Sequence, residues 1–392
     1  MILKPMLAIF GLVFAGCSLG GPDDPVVPPP HQVNYASVDV GDLHACALAT
    51  DATGLCWGDN IAGQLGTNDV DTRVQPDFIQ TTFKWDLLIT GTVHTCGLVS
   101  EKAYCWGANN VGQLGLGSAS FPILTPDSIG GLRWLTLAVG TLHSCGTTST
   151  DSTTYCWGSS SRGQLGDGIT GDLTFTPFPI AVLVDTAFVQ LTAGSQHTCG
   201  LNSAGEAYCW GDATFGQIGT GVFIGSTVPV PVAGGLLFAS IDAGGRHTCA
   251  VTAAGEGYCW GEGSNGALGN GGTQPKSSPV PVSGSLTFGH ISAGGGHTCG
   301  HTLTDEVWCW GINESGQLGT GDTDLHPLPV RLGGPVNTFR SVRAGSSTIG
   351  GITCGQATDG KIYCWGRGTE GQIGHGMREQ KVLLPTLVNG QN

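Results

Sequence analysis

Residues 244–269 read GGRHTCAVTAAGEGYCWGEGSNGALG, and this stretch decides the fold. His247-Thr248-Cys249-Ala250-Val251 and Tyr258-Cys259-Trp260-Gly261 are two short strand-type runs joined by a turn through Gly255. Such a pair is a β-hairpin signal. Just upstream, Leu237-Phe238-Ala239-Ser240-Ile241-Asp242-Ala243 alternates apolar and small residues and supplies another strand. Before that, Val228-Pro229-Val230-Pro231-Val232 suits an edge strand, because proline cannot donate at every position of a ladder. About four strands thus fit into roughly fifty residues, the size of one propeller blade.

The same unit recurs seven times. Trp-Gly, always preceded by Cys, begins at Trp57, Trp106, Trp157, Trp210, Trp260, Trp310 and Trp365. A GQLG-like turn opens six residues later, at Gly63, Gly112, Gly163, Gly216, Gly266, Gly316 and Gly371. Ala267 alone replaces the Gln, and Ile218 and Ile373 replace the Leu. Upstream of each Trp stands His-x-Cys, with His44, His94, His143, His197, His247 and His297; the seventh copy has Ile352 instead. The repeat predicts an all-β chain, a seven-bladed β-propeller of four-stranded antiparallel blades over residues 35–392. Composition agrees: 67 of 392 residues are Gly and only 11% are charged, which disfavours long amphipathic helices. The net charge of −14 argues against a phosphate backbone as partner, so no nucleic acid is expected.

Fourteen of the 15 Cys fall into seven pairs. Cys46 is matched with Cys56, Cys96 with Cys105, Cys145 with Cys156 and Cys199 with Cys209. Cys249 is matched with Cys259, Cys299 with Cys309 and Cys354 with Cys364. If the two Cys of a hairpin face each other, the next opposed pairs are Ala47/Leu55, Gly97/Tyr104, Gly146/Tyr155, Gly200/Tyr208, Ala250/Tyr258, Gly300/Trp308 and Gly355/Tyr363. A bulky residue then stands opposite Gly or Ala in every copy, where a ring is expected to cover its partner's bare backbone. Opposed strand positions are close enough for a disulfide, and closing a loop of about ten residues stabilises a hairpin by roughly 2–3 kcal/mol. His-x-Cys with a second Cys is also a possible zinc set. The seventh copy keeps both Cys without the His, which favours disulfides; neither metal nor cofactor is expected. The six repeated His are expected to hydrogen-bond to backbone between strands.

The unit GxxHT…YxWGxxxxxGQLG resembles the repeat of the regulator of chromosome condensation family, over roughly residues 35–388. The resemblance implies a seven-bladed propeller whose GxxHT and WG…GQLG residues maintain the blades and perform no chemistry. It does not supply a function, since activities vary widely within this fold. The Cys before each Trp and the Cys following His depart from the familiar eukaryotic pattern.

The chain opens MILKPMLAIFGLVFAGC, with Lys4 ahead of an apolar run from Met6 to Ala15. Residues 1–16 read as a secretory signal peptide. Phe14-Ala15-Gly16-Cys17 resembles the lipobox of bacterial lipoproteins, which implies lipidation of Cys17 and thereby assigns the fifteenth Cys. Ser18, in place of Asp, implies passage to the outer membrane. Residues 17–34 then form a lipid-anchored, Pro-rich tether. An exported, oxidising location in the bacterial cell envelope suits seven disulfides.

Three catalytic or metal signatures are missing: there is no GxxxxGK[ST], HExxH or EF-hand loop. Asp69/Asp71 and Asp322/Asp324 read as solvated turns rather than calcium ligands, Glu206 and Glu256 as exposed, and Asn313-Glu314-Ser315 as a chance sequon. Repeat irregularities are more informative. The third junction, Gly166 to His197, is 31 residues against the usual 28 and carries Phe175, Phe178 and Ile180; the sixth is extended near Ser346 and Ile349. Loops on a rigid scaffold are where recognition concentrates, so these five are the candidate binding-loop residues. The expected function is a non-enzymatic envelope lipoprotein presenting a protein-binding propeller. Two alternatives stand beside it: an enzyme acting on envelope polysaccharide at the propeller channel, and a purely structural component. Convergent carboxylates of shifted pKa in one cleft favour the enzyme, and a patch of exposed aromatics favours binding.

Overall fold

The computed structural model of the chain describes residues 33–171, 174–346 and 351–391. The expected signal peptide, the expected lipidation site Cys17 and most of the expected tether lie outside the described residues, as does Ile349. Seven four-stranded sheets span Tyr35–Phe78, Leu87–Ser128, Trp134–Ala181, Phe188–Pro231, Phe238–Pro281, Phe288–Arg331 and Phe339–Leu387, here blades 1 to 7. Within each blade the strands pair in chain order, from the inner strand at the central channel to the outer strand at the rim. The outer strand of blade 4, Ser226–Pro231, is the proline-rich edge strand expected.

The register follows the expected pairs in all seven hairpins, for example Cys249 opposite Cys259 and Ala250 opposite Tyr258. All seven expected disulfides are formed, one in each blade. Cys46 is bonded to Cys56, Cys96 to Cys105, Cys145 to Cys156 and Cys199 to Cys209. Cys249 is bonded to Cys259, Cys299 to Cys309 and Cys354 to Cys364. The joined Cα atoms are 4.0–4.1 Å apart throughout. That short spacing belongs to the non-hydrogen-bonded positions of an antiparallel ladder.

The rings do not cover the small residues as expected, however. A Cβ added at Gly97, Gly146, Gly200, Gly300 or Gly355 would meet Trp85, Trp134, Phe188, Phe288 or Phe339 at 2.4–2.7 Å. These aromatics begin or precede the inner strand of the same blade and fill the space above the glycine. The opposed Tyr instead packs against that aromatic, edge-on in the Trp134–Tyr155 and Phe339–Tyr363 pairs.

The blades are joined by a repeated set of buried hydrogen bonds. Each blade Trp donates Nε1–H to the main-chain carbonyl of the GQLG glutamine position in the preceding blade, at 2.8–3.0 Å in all seven cases. The main chain accepts this bond, so Ala267 serves as well as Gln. The second Gly of each turn leaves room for that Trp: a Cβ on Gly66 would lie 2.8 Å from Trp106 Nε1. The Thr or Ser after the repeat His, or after Ile352 in blade 7, donates its hydroxyl to the same carbonyl, at 2.7–2.9 Å in six blades.

The six His bond to side chains, not to backbone as the repeat alone suggested. Each Nε2 lies 2.8–2.9 Å from the Thr or Ser hydroxyl of the next blade. That hydroxyl has already given its one proton to the carbonyl. The His must therefore carry a proton on Nε2, and burial keeps that proton the only one on the ring. Burial agrees, holding the six rings down at about 3 to 4. The ring closes between blades 7 and 1, and there both partners are replaced together: Ile352 stands for His, and Ala45 for Thr. Both are fully buried in one apolar cluster, so neither half of the pair is left unsatisfied. Trp57 still donates to Gln372 across this seam, and Val33 pairs with Gln391.

Candidate protein interface and central channel

Antiparallel strand order places the inner-to-second and third-to-outer connections on one face of the disc. The WG glycines fix this arrangement. Gly58 has φ +102°, and the next amide, Asp59 N–H, donates to Leu43 O at 2.9 Å. The equivalent bond recurs in every blade, through Ala108, Ser159, Asp212, Glu262, Ile312 and Arg367. This loop face therefore carries the GQLG turns and the channel mouth. The opposite face carries the hairpins, the blade-to-blade connectors and both ends of the described chain.

The loops that follow the GQLG turns differ sharply between blades. Their tips carry exposed Phe121 in blade 2, Ile169 in blade 3 and Val222, Phe223 and Ile224 in blade 4, with Phe121 90% and Ile224 72% exposed. The corresponding loop of blade 1 is acidic, as is that of blade 6. Asp69 and Asp322 are half-buried caps there rather than freely solvated turn residues: each accepts bonds from Asn60 or Asn313, from Thr67 or Thr320, and from the amide two residues on. Asn313 is fully buried in this network, which removes it as a glycosylation acceptor. Glu206 and Glu256 are exposed.

The candidate loop residues fall in two places. Phe175, Phe178 and Ile180 belong to the outer strand of blade 3, Phe175–Ala181, rather than to a loop. Phe175 and Phe178 are exposed on the rim, whereas Ile180 pairs with Cys156 and packs against the core between blades 3 and 4. The three extra residues of this junction lie just before the strand, in the loop bearing Ile169. Among the described residues, the exposed aromatics are Phe121, Phe175, Phe178 and Phe223, all in blades 2 to 4. Gly117 N–H donates to Pro177 O and Gly168 N–H to Thr227 O, docking each loop on the next blade's outer strand. The four rings thus belong to three adjacent blades whose loops and outer strands are docked together. Sequence reasoning missed Phe121 and Phe223; their signal was an uncharged, apolar tip in place of the Asp found in blades 1 and 6.

Ser346 lies at the mouth of the central channel, with its hydroxyl 3.5 Å from that of Thr92. The channel encloses about 290 Å³. Its narrow ring takes one residue from each inner strand: Asp39, Ile89, Ala138, Thr192, Asp242, Ser292 and Arg343. Inner strands are sheet edges with free amides, and four of these side chains accept the amide of the next blade. Asp39 holds Thr90 N–H at 2.7 Å, Thr192 holds Ala243 at 2.9 Å, Asp242 holds Ala293 at 3.0 Å and Ser292 holds Ala344 at 3.1 Å. Burial raises the pKa of both Asp39 and Asp242, opposed chiefly by the Arg343 guanidinium. Arg343 Nε lies 3.5 Å from Asp39 Oδ1. Two carboxylates of shifted pKa do share this channel, but each is already bonded into the ring. Among the described residues no three His, Cys, Asp or Glu side chains gather as a metal set.

Seven disulfide-stapled blades, exposed aromatics on the loop face and rim of blades 2 to 4 and a lined channel define a propeller scaffold. Residues 88–392 match the RCC1-like domain, and the chain belongs to that family. It is 28% identical to the ultraviolet-B receptor UVR8 of Arabidopsis thaliana over 195 residues, 49% of this chain and 44% of the receptor. The chain thus spans less than half the length of this curated relative. Among solved structures it is similar to human WBSCR16, with TM-score 0.77 at 21% identity, covering 85% of this chain and 94% of that one. It is also similar to Prp20p of Saccharomyces cerevisiae, with TM-score 0.74 at 23% identity over 91% and 87% of the two chains.

Proposed function

We propose that this chain is a lipid-anchored protein of the bacterial cell envelope, held by Cys17 at the outer membrane, that binds a protein partner through the exposed aromatics of blades 2 to 4. The observation that carries the reading is the confinement of Phe121, Phe175, Phe178 and Phe223 to neighbouring blades. Exposed rings cost solvation unless a partner covers them, and aromatic anchors dominate protein interfaces. The described chain begins on the face opposite the loops. A tether leaving from there presents the loop face outward. Prp20p, described for its binding to Gsp1p and histones, supports protein recognition as a use of the architecture.

The polysaccharide-enzyme alternative draws on Asp39 and Asp242. Their engagement by Thr90, Ala293 and Arg343 favours a fixed ring over a pair of proton-transfer groups. Crosslinking in intact envelopes followed by purification tests the choice. The reading expects a protein adduct that is lost in Phe121→Ser/Phe223→Ser. Recovery of no protein, with release of a small product from envelope sugars, would contradict it.

A further inference from the structure

The channel is amphipathic, with its two characters on opposite walls. Blades 2 and 3 present Leu87, Ile89 and Ala138. Blades 5, 6, 7 and 1 present Asp242, His290, Arg343 and Asp39 in that order. The charged wall holds two carboxylates and one guanidinium, so it lacks one positive charge. Further, His290 lines the channel two residues below this ring in blade 6, near Arg343, with its Nδ1 buried and without a hydrogen-bond partner. No other blade places an ionisable group at this second level: its counterparts are Ser37, Leu87, Thr136, Gln190, Ser240 and Ser341. Stitching of the blades does not account for it either, since Thr192 and Ser292 perform that task without charge.

We propose that the channel binds a small ligand bearing one primary ammonium on a short apolar arm. The ammonium sits on the charged wall, donating to Asp242 and to Asp39, and the arm lies against Leu87, Ile89 and Ala138. A cation completes the charge of the wall, and three N–H donors match acceptors that still have free lone pairs. A volume of about 290 Å³ lies at the small end of ligand pockets, which limits the arm to a few carbons. The same chemistry is offered by a free alkylamine and by a lysine side chain entering from the loop face.

The test is calorimetric titration of the full, oxidised chain with n-butylammonium and with n-butanol, its neutral counterpart. Nα-acetyl-lysine amide is added to separate the two sources. Butylammonium should bind and butanol should not. Tighter binding of the lysine derivative points to a protein side chain, and weaker binding to a free amine. Asp242→Asn keeps an acceptor for Ala293 N–H and should weaken butylammonium roughly tenfold or more, the scale of one lost partly buried charge partner. Arg343→Gln removes the competing cation and should strengthen it, read also as a larger rise in melting temperature on adding the amine. Equal binding of butanol, no binding by the wild type, or unchanged affinity in a folded Asp242→Asn would overturn the proposal.

Discussion

The interblade relay makes a quantitative prediction at the junction of blades 4 and 5. There, His197 Nε2–H donates to Thr248 Oγ1, whose proton goes to Gln217 O, which also accepts Trp260 Nε1–H. Thr248→Ala leaves the Gln217 carbonyl with one donor but strands a buried N–H on His197. An unsatisfied buried donor costs about 1–3 kcal/mol. His197→Ile leaves Thr248 still bonded to the carbonyl and forfeits one hydrogen bond, about 1 kcal/mol. Applied together, the substitutions recreate the Ile352/Ala45 arrangement of the closing seam, where nothing is stranded. The double variant should thus cost less than the sum of the singles by about 1–2 kcal/mol. Guanidinium chloride unfolding without reductant, followed by tryptophan fluorescence, gives the four values of the cycle. Additivity within about 0.5 kcal/mol would refute the relay.

Acid should unfold the ring. The six repeat His have folded pKa values of about 3 to 4, below the unfolded value of 6.5, so their stabilisation is complete above 6.5 and is lost as pH falls toward 3 to 4. Each contributes a slope of about 1.4 kcal/mol per pH unit, on the order of 8 kcal/mol for six, whereas the two raised Asp oppose it. Near-ultraviolet circular dichroism should collapse between about pH 6 and about pH 4 and return on neutralisation; a signal unchanged at about pH 4 contradicts the buried neutral tautomer. Replacing Ala267 by Gln should stabilise the chain by about 0.5–1.5 kcal/mol, because the other six turns use that side chain to accept a loop amide, as Gln217 does from Phe215. Removing one disulfide as Cys249→Ala/Cys259→Ala should cost roughly 2–3 kcal/mol, measured by the same denaturation, while the other six bonds persist by non-reducing mass analysis.

Blade number, strand order, register and Cys pairing were legible because each is written seven times. What a single blade hides are contacts between elements that the repeat does not place side by side. The aromatic that covers each hairpin glycine is one such contact, although its position twelve residues upstream in four of the five copies was a usable signal: Trp85 to Gly97, Trp134 to Gly146, Phe188 to Gly200, Phe288 to Gly300. The His partner was another. In the sequence Ile352 stands as an isolated departure, yet Ala45 departs with it, and only closure of the ring makes the two neighbours. The channel needs the ring as well. Asp39, Asp242 and Arg343 each lie two residues before a repeat glycine, but only circular order brings blade 1 beside blade 7. The binding surface was half legible: junction length pointed to Phe175 and Phe178, while Phe121 and Phe223 came from loop exposure alone.

The binding claim is tested most directly by placing a photo-crosslinkable residue at single sites in the full chain expressed in its native cells. Positions 121 and 223 report the exposed aromatics, and position 303, an exposed leucine on the opposite face, is the control. The account predicts one protein adduct of the same mass at 121 and 223 and none at 303. Adducts at 303 alone, or at no position, would contradict it.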